Sequence, residues 1–135
     1  MTVQVIVQEE VIALDSIVKD LTTSECGAVL VFHGVVRDHA DGKAVKAIEY
    51  TCYAGMAEKE LSDVVNRCLE AHPVSHVAVV HRTGRLAVGE ASLGVVVASA
   101  HRREAFECGL MIIDEMKKTV PVWKKEFGPD GSHWV

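Results

Sequence analysis

"SHVAVVHRTGRLAVGEASLGVVVASA" occupies Ser75–Ala100. Two valine-rich runs, Ser75–His81 and Ser92–Ala100, flank a polar stretch punctuated by Gly84 and Gly89. Short apolar runs bounded by turn residues read as buried strands. A second pair lies upstream: "GAVLVFHGVV" (Gly27–Val36) and "AVKAIEYTCY" (Ala44–Tyr53), joined through Asp41-Gly42 turn chemistry. Hairpin-like strand pairs with separate helices argue for an α+β fold, not a regular βαβ series.

The helices fall between and after these pairs. Leu14–Leu21 reads as a short helix behind a first strand, Val3–Val7. In "GMAEKELSDVVNRCLEAH", Leu61, Val64, Val65, Cys68 and Leu69 form a stripe at helical spacing, and Pro73 stops it. Arg103–Lys118 supplies the last helix, and the tail "FGPDGSHWV" reads as a turn or loop. The expected order is β α β β α β β α, in one domain spanning residues 1–135.

Bulk composition excludes several classes. The net charge is −5, from 14 Lys+Arg against 19 Asp+Glu, so a general nucleic-acid surface is not expected. No apolar stretch approaches the ~20 residues that span a bilayer, so no membrane association is expected. The N-terminal "MTVQVIVQEE" lacks the basic region of a signal peptide. Cys26, Cys52, Cys68 and Cys108 form no C-x-x-C pair and sit in or beside apolar runs. That usage fits a reducing compartment, and the chain reads as soluble and cytoplasmic.

Against this acidic background, positive charge gathers at both ends of "AHRREAFECGLMIIDEMKKTVPVWKKE" (Ala100–Glu126). On a helix, Phe106, Gly109, Leu110, Ile113 and Met116 form an apolar stripe that Lys117 ends. Eleven steps of ~100° return Lys117 to within about 20° of Phe106, whereas Lys118 turns toward the side. Lys117 is therefore expected to be partly buried, with a lysine snorkelling off a helix C-terminus as the plainer alternative. His101, Arg102 and Arg103 sit where a strand meets a helix N-terminus, a natural anion site; a surface ion pair of Arg103 with Glu104 or Glu107 is the plainer reading. Pro121 ends the helix. Trp123 is expected to anchor the next segment by burial, so that Lys124 and Lys125 emerge at fixed positions.

Arg37 closes a strand whose face it shares with His33 and Val35. "HRTGRLAVGE" (His81–Glu90) reads as structural. His72 and His76 are separated by the helix-breaking Pro73, so a zinc site is not expected. No phosphate loop, dinucleotide fingerprint or nucleophile elbow is present. From the residues alone, the reading is a pocket for a small anionic ligand with a lysine as the chemical group. A non-catalytic module holding a phosphorylated metabolite or a partner's acidic tail stays open, as does a Schiff-base lysine enzyme using Lys117.

Taken in order, "GAVLVFHGVVRDH", "YAGMAEKEL", "HRTGRLAVGE", "SAHRREAFE", "KKTVPVWKKE" and "GSHWV" resemble the large, catalytic subunit of molybdopterin synthase, over Gly27–Val135. The resemblance implies an α/β hammerhead-like fold with a largely antiparallel sheet and flanking helices. It implies a homodimer in which each copy binds a small ubiquitin-like sulfur carrier, giving a heterotetramer. The carrier's Gly-Gly tail ends in a thiocarboxylate, and sulfur passes to cyclic pyranopterin monophosphate to form the molybdopterin dithiolene. The implied substrate pocket is Val35, Val36, Arg37, His101, Arg102, Lys117, Lys124, Lys125 and Glu126, with Lys117 and Lys124 catalytic. No metal or organic cofactor is implied.

Overall fold

The computed structural model describes Thr2–Val135. Along the chain run β1 (Thr2–Gln8), α1 (Leu14–Leu21), β2 (Ala28–Val35), β3 (His39–Ala40), β4 (Lys43–Ala44), β5 (Ala47–Thr51) and α2 (Ala54–Ala71). They are followed by β6 (His76–Arg82), β7 (Gly84–Ala87), β8 (Ala91–Ser99), α3 (Arg102–Thr119), β9 (Trp123–Gly128) and β10 (Gly131–Trp134). The α+β expectation holds, and the valine-rich pair is antiparallel, with Val77 opposite Val97 and Val79 opposite Val95. The first sheet has the order β1-β6-β8-β2, and β1 alone runs parallel to its neighbour.

Strand alternation sends successive side chains of this sheet to opposite faces. Val77, Val79, Leu93, Val95 and Val97 meet Leu61, Val64, Val65 and Cys68 of α2 and Ala105, Cys108 and Ile112 of α3. Ala78, Val96 and Ala98 meet Leu14 and Leu21 of α1. With both faces of β6 and β8 covered, the two runs read as continuous apolar stretches.

The phase of α3 differs from the expected stripe. Its buried residues are Ala105, Cys108, Gly109, Ile112 and Met116, whereas Phe106 and Leu110 are each 61% exposed. Small residues govern the contact: a Cβ on Gly109 would come within 2.6 Å of Leu30 Cδ2, so the helix backbone lies close on β2. Lys117 is accordingly exposed, on a flank of the helix and not at the end of a buried stripe.

The second sheet, β10-β9-β5-β7, is antiparallel throughout. β7 forms where only a turn was expected, and the β9–β10 hairpin replaces the expected loop. Trp123 is 47% exposed, lying edge-on to Tyr53, so burial does not anchor this segment. Its anchor is the backbone ladder from Ala47↔Phe127 to Thr51↔Trp123. The returning strand is shortened to Ala47–Thr51, because a separate ribbon, β3–β4, takes its start. The expected turn at Asp41-Gly42 is present: positive φ at both residues (50° and 77°) suits a two-residue hairpin.

Candidate functional site

The two sheets and the C-terminal end of α3 enclose a cleft of about 580 Å³. This lies within the roughly 300–1,000 Å³ typical of small-molecule sites. Phe32, Gly34 and Val35 of β2 and Leu93 of β8 form one wall; Met116 and Lys117 of α3 form another. Ile48 and Tyr50 of β5 and Lys124 and Glu126 of β9 come from the facing side of the second sheet. Register explains the grouping, since Ile48 pairs with Glu126 and Tyr50 with Lys124, putting all four on one face. Arg37, just beyond β2, and the β3–β4 ribbon complete the rim.

Arg37, Lys117 and Lys124 thus converge from three different segments on one cleft. Lys117 also stands in the last turn of α3, where the helix dipole favours a cation. Glu126, with a side chain 12% exposed, has Oε1 3.1 Å from His133 Nε2. Burial pushes the Tyr50 phenol up; Ser92 opposes this and the Glu126 charge adds to it. Tyr50 therefore stays protonated at neutral pH.

Five of the expected site residues meet here: Val35, Arg37, Lys117, Lys124 and Glu126. Four do not. Val36 is 3% exposed and packs with Tyr50 and Leu86 in a small core beneath the second sheet. Lys125 lies on the opposite face of β9, its Nζ 5.7 Å from the Phe127 ring and 5.4 Å from the Trp134 ring. Consecutive strand residues cannot all face one cleft. His101 and Arg102 are exposed at the start of α3. At 1.5 Å per residue, Arg102 lies about 22 Å along the helix from Lys117. Arg103 takes the plainer reading, 3.5 Å from Glu107.

The cleft also holds side chains that the sequence reading passed over, chiefly His81 and Tyr50. His81 ends a valine run, and Tyr50 sits in an alternating strand; neither position carries a signal beyond burial. The remainder of "HRTGRLAVGE" is structural, as expected. Arg82 Nη1 donates to Glu90 Oε2 at 2.7 Å, and the Ala87 amide donates to Glu90 Oε1 at 2.8 Å, which fixes the β7 turn.

Elsewhere, Glu25, Cys26 and His76 bring potential metal-ligating atoms within 4.8 Å of one another. The Thr2 amide donates to His76 Nδ1 at 3.1 Å, so the ring proton sits on Nε2. Nε2 then donates to Thr23 Oγ1 (2.9 Å) and Glu25 Oε1 (3.1 Å). A metal-bound histidine normally donates through its second nitrogen, and here that nitrogen accepts. The cluster is a hydrogen-bond clasp joining β1, β6 and the segment after α1.

The fold and cleft define an α+β protein that brings two lysines and an arginine to one cleft. The chain belongs to the MoaE protein family, whose family model matches residues 7–119. Its relatives include a molybdopterin synthase catalytic subunit of Pyrococcus abyssi, 42% identical over 127 residues, covering 94% of this chain and 82% of the relative. The crystal structure of molybdopterin synthase from Staphylococcus aureus superposes with a TM-score of 0.90 at 33% identity, covering 96% of this chain and 94% of that one. A Helicobacter pylori chain, solved in a complex of subunits 1 and 2 of molybdopterin-converting factor, shares the fold with a TM-score of 0.75 at 18% identity, covering 98% and 89%. Among the described residues, no helix is long and apolar enough to cross a membrane.

Proposed function

We propose that this chain is the catalytic subunit of a cytoplasmic molybdopterin synthase. It transfers sulfur from the C-terminal thiocarboxylate of a small ubiquitin-like carrier to cyclic pyranopterin monophosphate. The observation that carries this reading is the convergence of Arg37, Lys117 and Lys124 on one cleft in a chain of this family. Substrate phosphate and carrier thiocarboxylate are both anions, and cations gathered in a cleft between low-dielectric walls focus their field on such a ligand. Arg37 holds the phosphate side. Lys117 and Lys124 stabilise the oxyanion and carboxylate that form as sulfur leaves the carrier. Incubating the purified protein with thiocarboxylated carrier and substrate tests this directly. Substrate binding without sulfur transfer would leave a non-catalytic binding module.

His101 and Arg102 join the same site if two copies pair about a two-fold axis. β2 is an edge strand of the first sheet, and along it lies the flank of α3 that exposes Phe106 and Leu110. Strand and helix run the same way: Gly27 abuts the Ala100 carbonyl at one end, and Val35 and Lys117 share the cleft at the other. Isologous pairing of two β2 edges is antiparallel, so each copy's His101 and Arg102 approach the other's cleft. With one carrier per copy the assembly is a heterotetramer.

Two expectations accompany this reading. Deleting the carrier's last two glycines abolishes transfer but weakens binding only in part, because most of the interface lies on the carrier's globular body. Calorimetry against a carrier with a mutated body surface checks this, and unchanged binding there contradicts it. The cysteines are bystanders. Burial pushes the Cys108 thiol up to about 11 and also raises that of Cys68, so both stay protonated and unreactive. Replacing all four with Ala or Ser leaves transfer from preformed thiocarboxylate largely intact, at a cost of roughly 1 kcal/mol for each of the two core positions. A folded quadruple variant without transfer refutes it.

A further inference from the structure

His81 is the one buried histidine that lines the cleft; its residue is 8% exposed. Its ring lies edge-on to Tyr50, with centroids 5.4 Å apart and planes at 69°. Nδ1 lies 2.9 Å from the Arg82 carbonyl oxygen. A carbonyl only accepts, so Nδ1 carries the proton and Nε2 keeps its lone pair. Nε2 has no protein partner among the described residues, yet it is not sealed off. The buried side-chain polar atom left without a partner among them is Glu104 Oε2, not this nitrogen. A ring that lines the cleft, with its tautomer pinned through Nδ1 and an unpartnered lone pair on Nε2, has the arrangement of a general base.

We propose that His81 Nε2 is the general base for the hydrolytic step that frees transferred sulfur from the carrier, an inference that rests on the sulfur-transfer reading above. Once the thiocarboxylate sulfur has bonded to the pterin, the carrier's terminal glycine is held to it as a thioester. Water bonds to the acyl carbon and gives one proton to Nε2. Lys117 and Lys124 face the resulting oxyanion. Its collapse breaks the carbon–sulfur bond, and sulfur leaves on the pterin as a thiolate with the bonding pair. The carrier's carboxylic acid loses its proton to solvent, and Nε2 passes its own to the thiolate or to solvent. The step consumes one water and involves no oxidant or reductant.

The charge around the ring suits a base that is free at neutral pH. Burial lowers its pKa below the usual histidine value, the Arg82 carbonyl opposes this, and the Lys124 charge lowers it further. The other titratable groups lining the cleft are Arg37, His39, Asp41, Tyr50, Lys117 and Glu126. Of these His39 is the other imidazole, and it sits on the exposed ribbon with Nδ1 2.8 Å from Asp38 Oδ1.

The test is single-turnover transfer by His81→Asn, whose side-chain amide retains a donor for the Arg82 carbonyl but lacks the distal base. Carboxylate release is expected to slow by about 10²-fold, the usual lower range for losing a general base. Intact mass spectrometry should then show a carrier–pterin thioester accumulating, while carrier binding stays unchanged. The wild-type rate should fall on acidification, with its acid limb displaced below the usual histidine range because burial and the Lys124 charge disfavour the protonated ring. That acid limb should vanish in His81→Asn and persist in His39→Asn. A folded His81→Asn protein with the wild-type rate and acid limb overturns the inference while leaving sulfur transfer intact. A wild-type protein that transfers no sulfur overturns both. If His81→Asn does not fold, the wild-type protein decides: an acid limb matching the NMR titration of the His81 ring supports the role, and its absence overturns it.

Discussion

Lys117→Ala slows single-turnover sulfur transfer by at least ~10²-fold, the lower range for losing a group that stabilises developing charge or moves a proton. Lys118→Ala changes it by less than about twofold, as for most surface substitutions. The two lysines are matched in every general respect. Both are exposed, both stand in the last turn of α3, and both interact with the same helix dipole. They differ in direction. Counted at ~100° per residue from the face centred on Ala105 and Met116, Lys117 lies about 120° round on one side and Lys118 about 140° round on the other. The first lines the cleft and the second does not. Net charge and helix stability change alike in the two variants, so a difference in rate isolates what Lys117 does in the cleft. Thermal melts and carrier binding should be indistinguishable between them. Equal transfer rates would sink the assignment.

The same helix shows how far the residue pattern could be read. The existence and length of α3 were legible, because a periodic segment bounded by Pro121 follows a strand. Its phase was not. Phe106 and Leu110 are large apolar residues one turn apart, and they draw a hydrophobicity-weighted stripe toward their side of the helix. Burial went instead to Ala105, Cys108 and Gly109, because a helix lying close on β2 needs small side chains at the contact. The valine runs were legible because both faces of their strands are buried, so no polar residue interrupts the valines, and α2 was legible because its apolar stripe, Leu61, Val64, Val65, Cys68 and Leu69, is also its buried face. The β9–β10 hairpin was illegible because Lys124 and Glu126 on one face and Lys125 on the other give no alternation. Its strands exist through backbone pairing with β5.

For the site, the positions expected from family resemblance came in consecutive blocks, Val35–Arg37 and Lys124–Glu126. The structure divides each block. β9 turns Lys125 to the far face, and the chain leaving β2 turns Val36 into the core while Arg37 reaches the rim. A block of consecutive residues can mark the place of a site, but the pleat selects which of its members face it. His81 escaped notice by the converse effect, since a polar residue at the end of a buried run looks like the end of the strand.

The division of the cations between two ends of α3 leads to the remaining large effect. A protein in which one copy carries Lys117→Ala and the other Arg102→Ala should recover about half of the wild-type activity, although each variant alone is nearly inactive. In such a mixed dimer one cleft lacks both groups. The other combines an intact Lys117 from its own copy with an intact Arg102 reaching across the β2 edge. If both residues served the cleft of their own chain, each cleft would lack one of them and nothing would be recovered. The ~22 Å between Arg102 and Lys117 along the helix argues against that arrangement. Co-expression with two different affinity tags, sequential purification of the mixed dimer, and single-turnover transfer with thiocarboxylated carrier measure the outcome. Substituting the exposed Phe106 and Leu110 with aspartate in both copies should abolish the recovery together with the dimer, because burying those charges at the shared edge carries a large desolvation cost. Recovery by a chain that sedimentation shows to be monomeric, or no recovery by a verified mixed dimer, would remove the case for a site shared between copies.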